Sequence, residues 1–179
     1  MLIRSARLGG GTGGGSRRAV SLAAVNAHRP PDFVGTWKLL SLRQERADGS
    51  VAEPLGSQPI GFITYTESGF VHCMIGPEER PKLGAQPDEF AARDGLARVL
   101  FTLPKLPGLL RLGVSALRTV VYAGTWEVVG DTVIHHAELA GLPDWDGTDI
   151  ERQYEIDDKN LRLIASFPGN RVVVDWRRA

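Results

Sequence analysis

Between Val34 and Arg178 the chain is a succession of strand-length apolar runs separated by short turn signals, and that punctuation leaves few folds open. The clearest run is Thr148–Ile156. There Ile150, Arg152, Tyr154 and Ile156 alternate with Asp149, Glu151, Gln153 and Glu155, so one face is apolar apart from an arginine and a phenol. Ile60–Thr66 and Gly69–Ile75 read as a hairpin about Glu67-Ser68-Gly69. Val120–Val128 turns at Gly130-Asp131 into Thr132–Leu139, and Asp157–Asn160 and Pro168–Asn170 introduce the last two runs. With Val34–Arg46 and a short Val51–Glu53, the pattern gives an all-β chain in hairpin order. Such a meander closes most economically into an antiparallel up-and-down barrel of about 8–9 strands, because closure removes exposed strand edges.

Two stretches depart from that pattern. Residues 1–31 hold Arg4, Arg7, Arg17, Arg18 and Arg29, no acid and a glycine-rich run at 9–15, a composition that predicts a disordered tail ahead of a barrel domain over 32–179. Ser16-Arg17-Arg18-Ala19-Val20 also resembles a twin-arginine export start, but the apolar run behind it is short and broken by Ser21, so a cytoplasmic chain is expected. Residues 88–118 form a helical insertion: Asp88 caps a first segment through Phe90, Leu96, Val99 and Leu103, Pro104 ends it, and a leucine-rich segment follows Pro107. That insertion reads as a mobile lid over the barrel, as a plug packed on its outside, or as a surface that docks on a membrane or partner.

Charge and cysteine usage narrow the partners. The formal net charge is zero, but outside residues 1–31 there are 16 bases against 21 acids, so an acidic body argues against a nucleic-acid partner. The one cysteine, Cys73, rules out an intrachain disulfide, and no apolar run approaches the ~20 residues of a membrane span.

Gly35-Thr36-Trp37 opens the first long run, and the same tripeptide returns at Gly124-Thr125-Trp126. Around these lie the Asp48-Gly49 turn, Pro54-Leu55-Gly56, Pro59-Ile60-Gly61, Gly130–Val133 with His135-His136, Trp145-Asp146-Gly147-Thr148, Arg152-Gln153-Tyr154-Glu155 and Trp176-Arg177-Arg178. In order and spacing, over about residues 33–178, this series resembles the bacterial and fungal lipocalin-like domain family. The resemblance implies a calycin-type barrel that holds a lipophilic small molecule. It further implies that Trp37 closes one barrel end beneath an arginine from the last strand, with Trp126 and Trp176 in the same structural set and Arg177 or Arg178 as the arginine, here expected to be Arg177.

Within such a barrel, Phe62, Phe70, His72, Met74, Tyr122, His136, Arg152 and Tyr154 are the candidate ligand-lining residues. An apolar cavity carrying a few fixed polar groups suits a hydrophobic molecule with a polar or anionic handle. Arg152 needs a counter-charge, either Glu127 or Glu138 of the protein or an acidic group of the ligand. The alternative is a cofactor-free isomerase or cyclase acting on a hydrophobic metabolite, with His136 or Glu138 moving the proton and Arg152 and Tyr154 stabilising an oxyanion. His136 and Glu138 share a face but lack a third ligand other than the distant His72, so no metal is expected. No phosphate loop, dinucleotide fingerprint or serine-centred elbow is present, and no cofactor is expected.

Overall fold

The computed structural model describes residues 29–80, 82, 92 and 94–179. Of the tail expected over 1–31, residues 1–28 fall outside those residues, as does the helix start at Asp88 with Phe90, while Pro31–Phe33 form a 3₁₀ turn. The meander is β1 (Gly35–Arg46), β2 (Val51–Ala52), β3 (Ile60–Tyr65), β4 (Phe70–Gly76), β5 (Val120–Val129), β6 (Thr132–Ala140), β7 (Thr148–Ile156), β8 (Asn160–Phe167) and β9 (Asn170–Arg178). Every pairing is antiparallel, and β1 closes the barrel by pairing with β9 from Trp37↔Arg178 to Arg46↔Asn170. The short β2 covers the upper edge of β1 at Gln44 and Glu45, above the point where β3 leaves it. Between β4 and β5 lie two helices, α1 (Gly95–Thr102) and α2 (Leu106–Ala116), joined by a 3₁₀ turn at Leu103–Lys105. The chain is therefore an all-β antiparallel barrel with a small helical insertion.

The two ends differ. At one, the Thr66–Gly69 and Gly130–Asp131 turns surround a packed plug of Phe33, Trp37 and Trp126, none of which is exposed. The ring of Phe33 lies 5.2 Å from Tyr65, 5.5 Å from Trp126 and 4.8 Å from Tyr154, in edge or tilted contacts that favour aromatic packing. The indole Nε1 of Trp37 donates to the Phe33 carbonyl at 2.9 Å. Over its outer side, 4.1 Å from the ring centroid, sits the guanidinium of Arg178, which donates to the carbonyls of Asp32, Val34 and Asp158. Arg178, and not the expected Arg177, is the closing arginine. Alternation along β9 buries Trp176 and turns Arg177 outward, leaving the next residue to fold over the end. At the other end β4 finishes, β5 begins, and the helical insertion joins them. There Arg118 Nη2 donates to the Pro54 carbonyl at 2.8 Å.

The repeated Gly-Thr-Trp places two buried tryptophans, but its glycines answer different needs. Gly35 has φ +128°, a conformation that disfavours a side chain, and Arg178 Nη1 lies 3.1 Å from where a Cβ would stand. Gly124 sits at the β5–β6 irregularity after Ala123, where a Cβ would run into the His136 carbonyl. Gly124→Ala is expected to cost about 1–3 kcal/mol, since backbone must move to admit the methyl. Gly113→Ala, on α2 with nothing within 4 Å, is the matched control and is expected to be neutral or slightly stabilising. Paired urea titrations measure both, and equal midpoints would refute the close approach at Gly124.

Candidate functional site

Four strands send polar side chains into the barrel and bring them together. Tyr65 comes from β3, Tyr122 from β5, His135 from β6 and Arg152 from β7. His135 is wholly buried, with the Tyr65 hydroxyl 2.9 Å from Nε2 and the Tyr122 hydroxyl 2.8 Å from Nδ1. Burial first, then the nearby Arg152 charge, pushes the imidazole pKa down to about 3, so the ring is neutral. A neutral imidazole has one donor and one acceptor nitrogen. One phenol therefore donates to the ring while the other accepts from it, and the accepting phenol keeps its own proton to offer elsewhere. Burial raises both phenols well above their usual pKa and pushes the neighbouring Cys73 thiol up to about 12, so all three are uncharged.

Arg152 pairs across from Val133, which is fully buried, so its side chain shares the inner face with His135 and Ile150. Its charge reaches Tyr65, Tyr122, Cys73 and His135, and burial lowers the pKa of the guanidinium itself. Its Nη1 donates to the Glu151 carbonyl at 2.7 Å. Among the described residues no carboxylate forms an ion pair with it. Glu127 and Glu138, the partners considered for it, stand on the outer face.

The wall is incomplete beside this arginine. The β7–β8 ladder runs only from Gln153↔Ile164 to Ile156↔Leu161, so Thr148–Arg152 have no partner in β8. Ile150, Arg152, Tyr154 and Ile156 face inward yet stay only half-buried. A second depression, of about 510 Å³, lies on the wall near Leu40, Ser41, Arg162 and Asp175. Its one buried acid is already matched: Asp175 accepts from Ser41 Oγ, Arg43 Nη2 and Arg162 Nε at 2.7–3.0 Å. Burial alone would raise the Asp175 pKa, but the Arg162 and Ser41 hydrogen bonds and the two cations outweigh it.

Several residues expected in the interior are elsewhere. Phe62, Phe70, His72 and Met74 stand on the outer face, while Gly61, Ile63, Tyr65, Val71, Cys73 and Ile75 take the inner one. Period two pairs residues with faces but does not say which face is inside when both carry large apolar groups. His136 also faces outward, with Nδ1 2.7 Å from Asp149 Oδ1 and Nε2 3.4 Å from Glu127 Oε1, and Glu138 is exposed. Of the candidates, Tyr122, Arg152 and Tyr154 face inward. Tyr154 packs on Phe33 toward the closed end rather than beside the His135 cluster. Tyr65 and His135 were not among the candidates; His135 shares the inner face of β6 with the apolar Val133 and Ala137, and that grouping was the available signal.

Residues 34–106 match the model of the lipocalin-like domain family. No curated protein matches the chain. Among solved structures, an uncharacterized protein from Bacteroides eggerthii aligns at 12% identity over 82% of this chain and 99% of that one, with a TM-score of 0.39. A mutant of the fluorescent protein UnaG aligns at 19% identity over 82% and 96%, with a TM-score of 0.33. A redesigned β-barrel aligns at 10% identity over 83% and 92%, with a TM-score of 0.36. From its strand order and its tryptophan-and-arginine closed end, this chain is a closed antiparallel up-and-down β-barrel, and over residues 34–106 it is similar to the lipocalin-like domain family.

Proposed function

We propose that the barrel binds a small lipophilic molecule carrying an anionic group, with that group held by Arg152. The observation that carries the reading is an inward-facing guanidinium that no carboxylate pairs among the described residues. A cation drawn partly out of water without a counter-charge is costly, and a ligand carboxylate supplies that charge with two acceptor oxygens, an enolate with one. One phenolic proton of the Tyr65–His135–Tyr122 arrangement is not taken up by the imidazole, and where it comes from Tyr65 it offers a second donor nearby, since Tyr122 also bonds with Cys73. Apolar neighbours such as Ile150 and Val133 suit the rest of a hydrophobic ligand, and the short β7–β8 ladder supports entry through the wall.

The isomerase or cyclase alternative has less support. It needs a group that takes or gives a proton near neutral pH, and His135 is too weak a base while Tyr65 and Tyr122 are too weak as acids. His136 and Glu138, first considered for that task, are on the outside.

The test is a matched ligand series. Long-chain carboxylic acids are expected to raise the melting temperature of the wild type more than their methyl esters do. Arg152→Gln is expected to weaken acid binding by about tenfold or more, the loss of a charge-assisted contact, and to leave ester binding within a factor of a few. Native mass spectrometry of freshly purified protein should find an acidic lipophile. Equal acid and ester affinities in the wild type would sink the reading.

A further inference from the structure

We propose that the helical insertion docks on an anionic lipid surface, with its exposed leucines entering the lipid and the barrel mouth turned toward it. Leu96, Leu103, Leu110 and Leu117 recur every seven residues along α1, the 3₁₀ turn and α2. All four are largely exposed, at 72%, 56%, 67% and 69%, and Val99 and Leu100 extend the exposed row beside the first two. Among the described residues, α1 and α2 pack chiefly on the turn between them, and no strand packs extensively on either. A row of this kind gains by leaving water. No described helix is long and apolar enough to cross a membrane, so the row lies on the surface.

Charge chooses the occupant. Residues 94–118 hold Arg98, Lys105, Arg111 and Arg118 against Asp94 alone, while residues 32–93 and 119–179 hold 12 bases against 20 acids. Each of the four leucines is followed within two positions by one of those bases. A second copy of the chain would bring two cationic patches together, whereas anionic headgroups complement the patch and repel the rest of the body. Within residues 32–179 the same segregation sets the pose, drawing the end where β4 stops and β5 starts to the lipid. The inference does not depend on what the barrel holds.

The N-terminal arginines are a second basic segment, and Arg29 reaches the barrel at Trp126, on the closed end, so the test must separate the two. Full-length protein is floated with phosphatidylcholine vesicles and with vesicles of phosphatidylcholine and phosphatidylglycerol. Three variants are compared: Leu96, Leu103, Leu110 and Leu117→Ser together; Lys105→Glu with Arg111→Glu; and Arg4, Arg7, Arg17 and Arg18→Gln. The expected result is flotation with the anionic vesicles alone, reversed by high salt and weakened about tenfold or more in the first two variants. The tail variant is expected to retain it. Absence of flotation, full flotation of the leucine variant, or loss confined to the tail variant would overturn the proposal. So would a dimer in sedimentation velocity that the leucine substitutions dissolve, which would make a second copy the occupant. A fall of many degrees in the melting temperature of the leucine variant would overturn it too, by showing that the row packs on the chain's own wall.

Discussion

Trp37→Ala is expected to lower folding stability by about 3–5 kcal/mol, the range for removing a fully buried large aromatic. The loss has three parts. A cavity opens between Phe33 and the last strand; the Phe33 carbonyl loses its indole donor; and the Arg178 guanidinium loses the ring it stacks on. Trp37→Phe separates them, since it keeps most of the ring but not the N–H, and is expected to cost about 1–3 kcal/mol. Urea denaturation followed by far-UV circular dichroism measures both. A Trp37→Ala variant within about 1 kcal/mol of the wild type would mean the closed end is not a packed plug.

Acid is expected to destabilise the protein before Asp48, Asp157 and Asp175 titrate. His135 has an ordinary pKa of 6.5 in the unfolded chain and about 3 when folded, so the unfolded chain binds the extra proton between those values. The stability that this difference confers is complete above pH 6.5 and is lost as the pH falls toward 3, at roughly 1.4 kcal/mol per unit and up to about 5 kcal/mol in all. Asp48, Asp157 and Asp175 are held below the usual carboxylate value of 3.8, so their contributions disappear only at the bottom of that window. Between about pH 4 and 6.5 the slope is therefore chiefly His135's own. His135→Asn is expected to be less stable at neutral pH, because a phenol loses its partner, and to show a much flatter acid limb. Urea midpoints measured across that range decide it, and parallel slopes for the two proteins would defeat the assignment.

The barrel was readable from sequence because hairpin turns and period-two runs are local, and closure then follows from the cost of bare strand edges. The site was readable only in part. On β7 the outer residues are charged or amide-bearing and the inner ones apolar, so Arg152 could be placed inside. On β3 and β4 the outer face carries Ile60, Phe62, Phe70 and Met74, each about half exposed, and the inner face carries Ile63, Tyr65, Val71 and Ile75. Hydrophobicity cannot choose between two such faces. The choice is made by register, through Tyr65 reaching His135 across 70 positions of sequence. His135 and His136 show the same difficulty in one dipeptide. The ring with the carboxylate neighbours invited a chemical role, yet it is a surface pair, and its plain neighbour holds the interior network. The closing arginine turned on a single residue step: alternation along β9 buries Trp176, turns Arg177 outward and brings Arg178 back over Trp37.

That clasp has a consequence for synthesis. Arg178 is bonded to carbonyls at Asp32 and Val34, and β9 closes the free edge of β1 along most of its length. A ribosome makes β1 first and β9 last, so throughout elongation the earliest strand waits with one edge bare while its neighbours accumulate on the other. The last contact to form is also among the longest in sequence, which places this barrel with the slow folders of high contact order. A nascent chain stalled before Asn170 presents a sheet with two open edges, and such edges invite aggregation until the nine residues of β9 arrive.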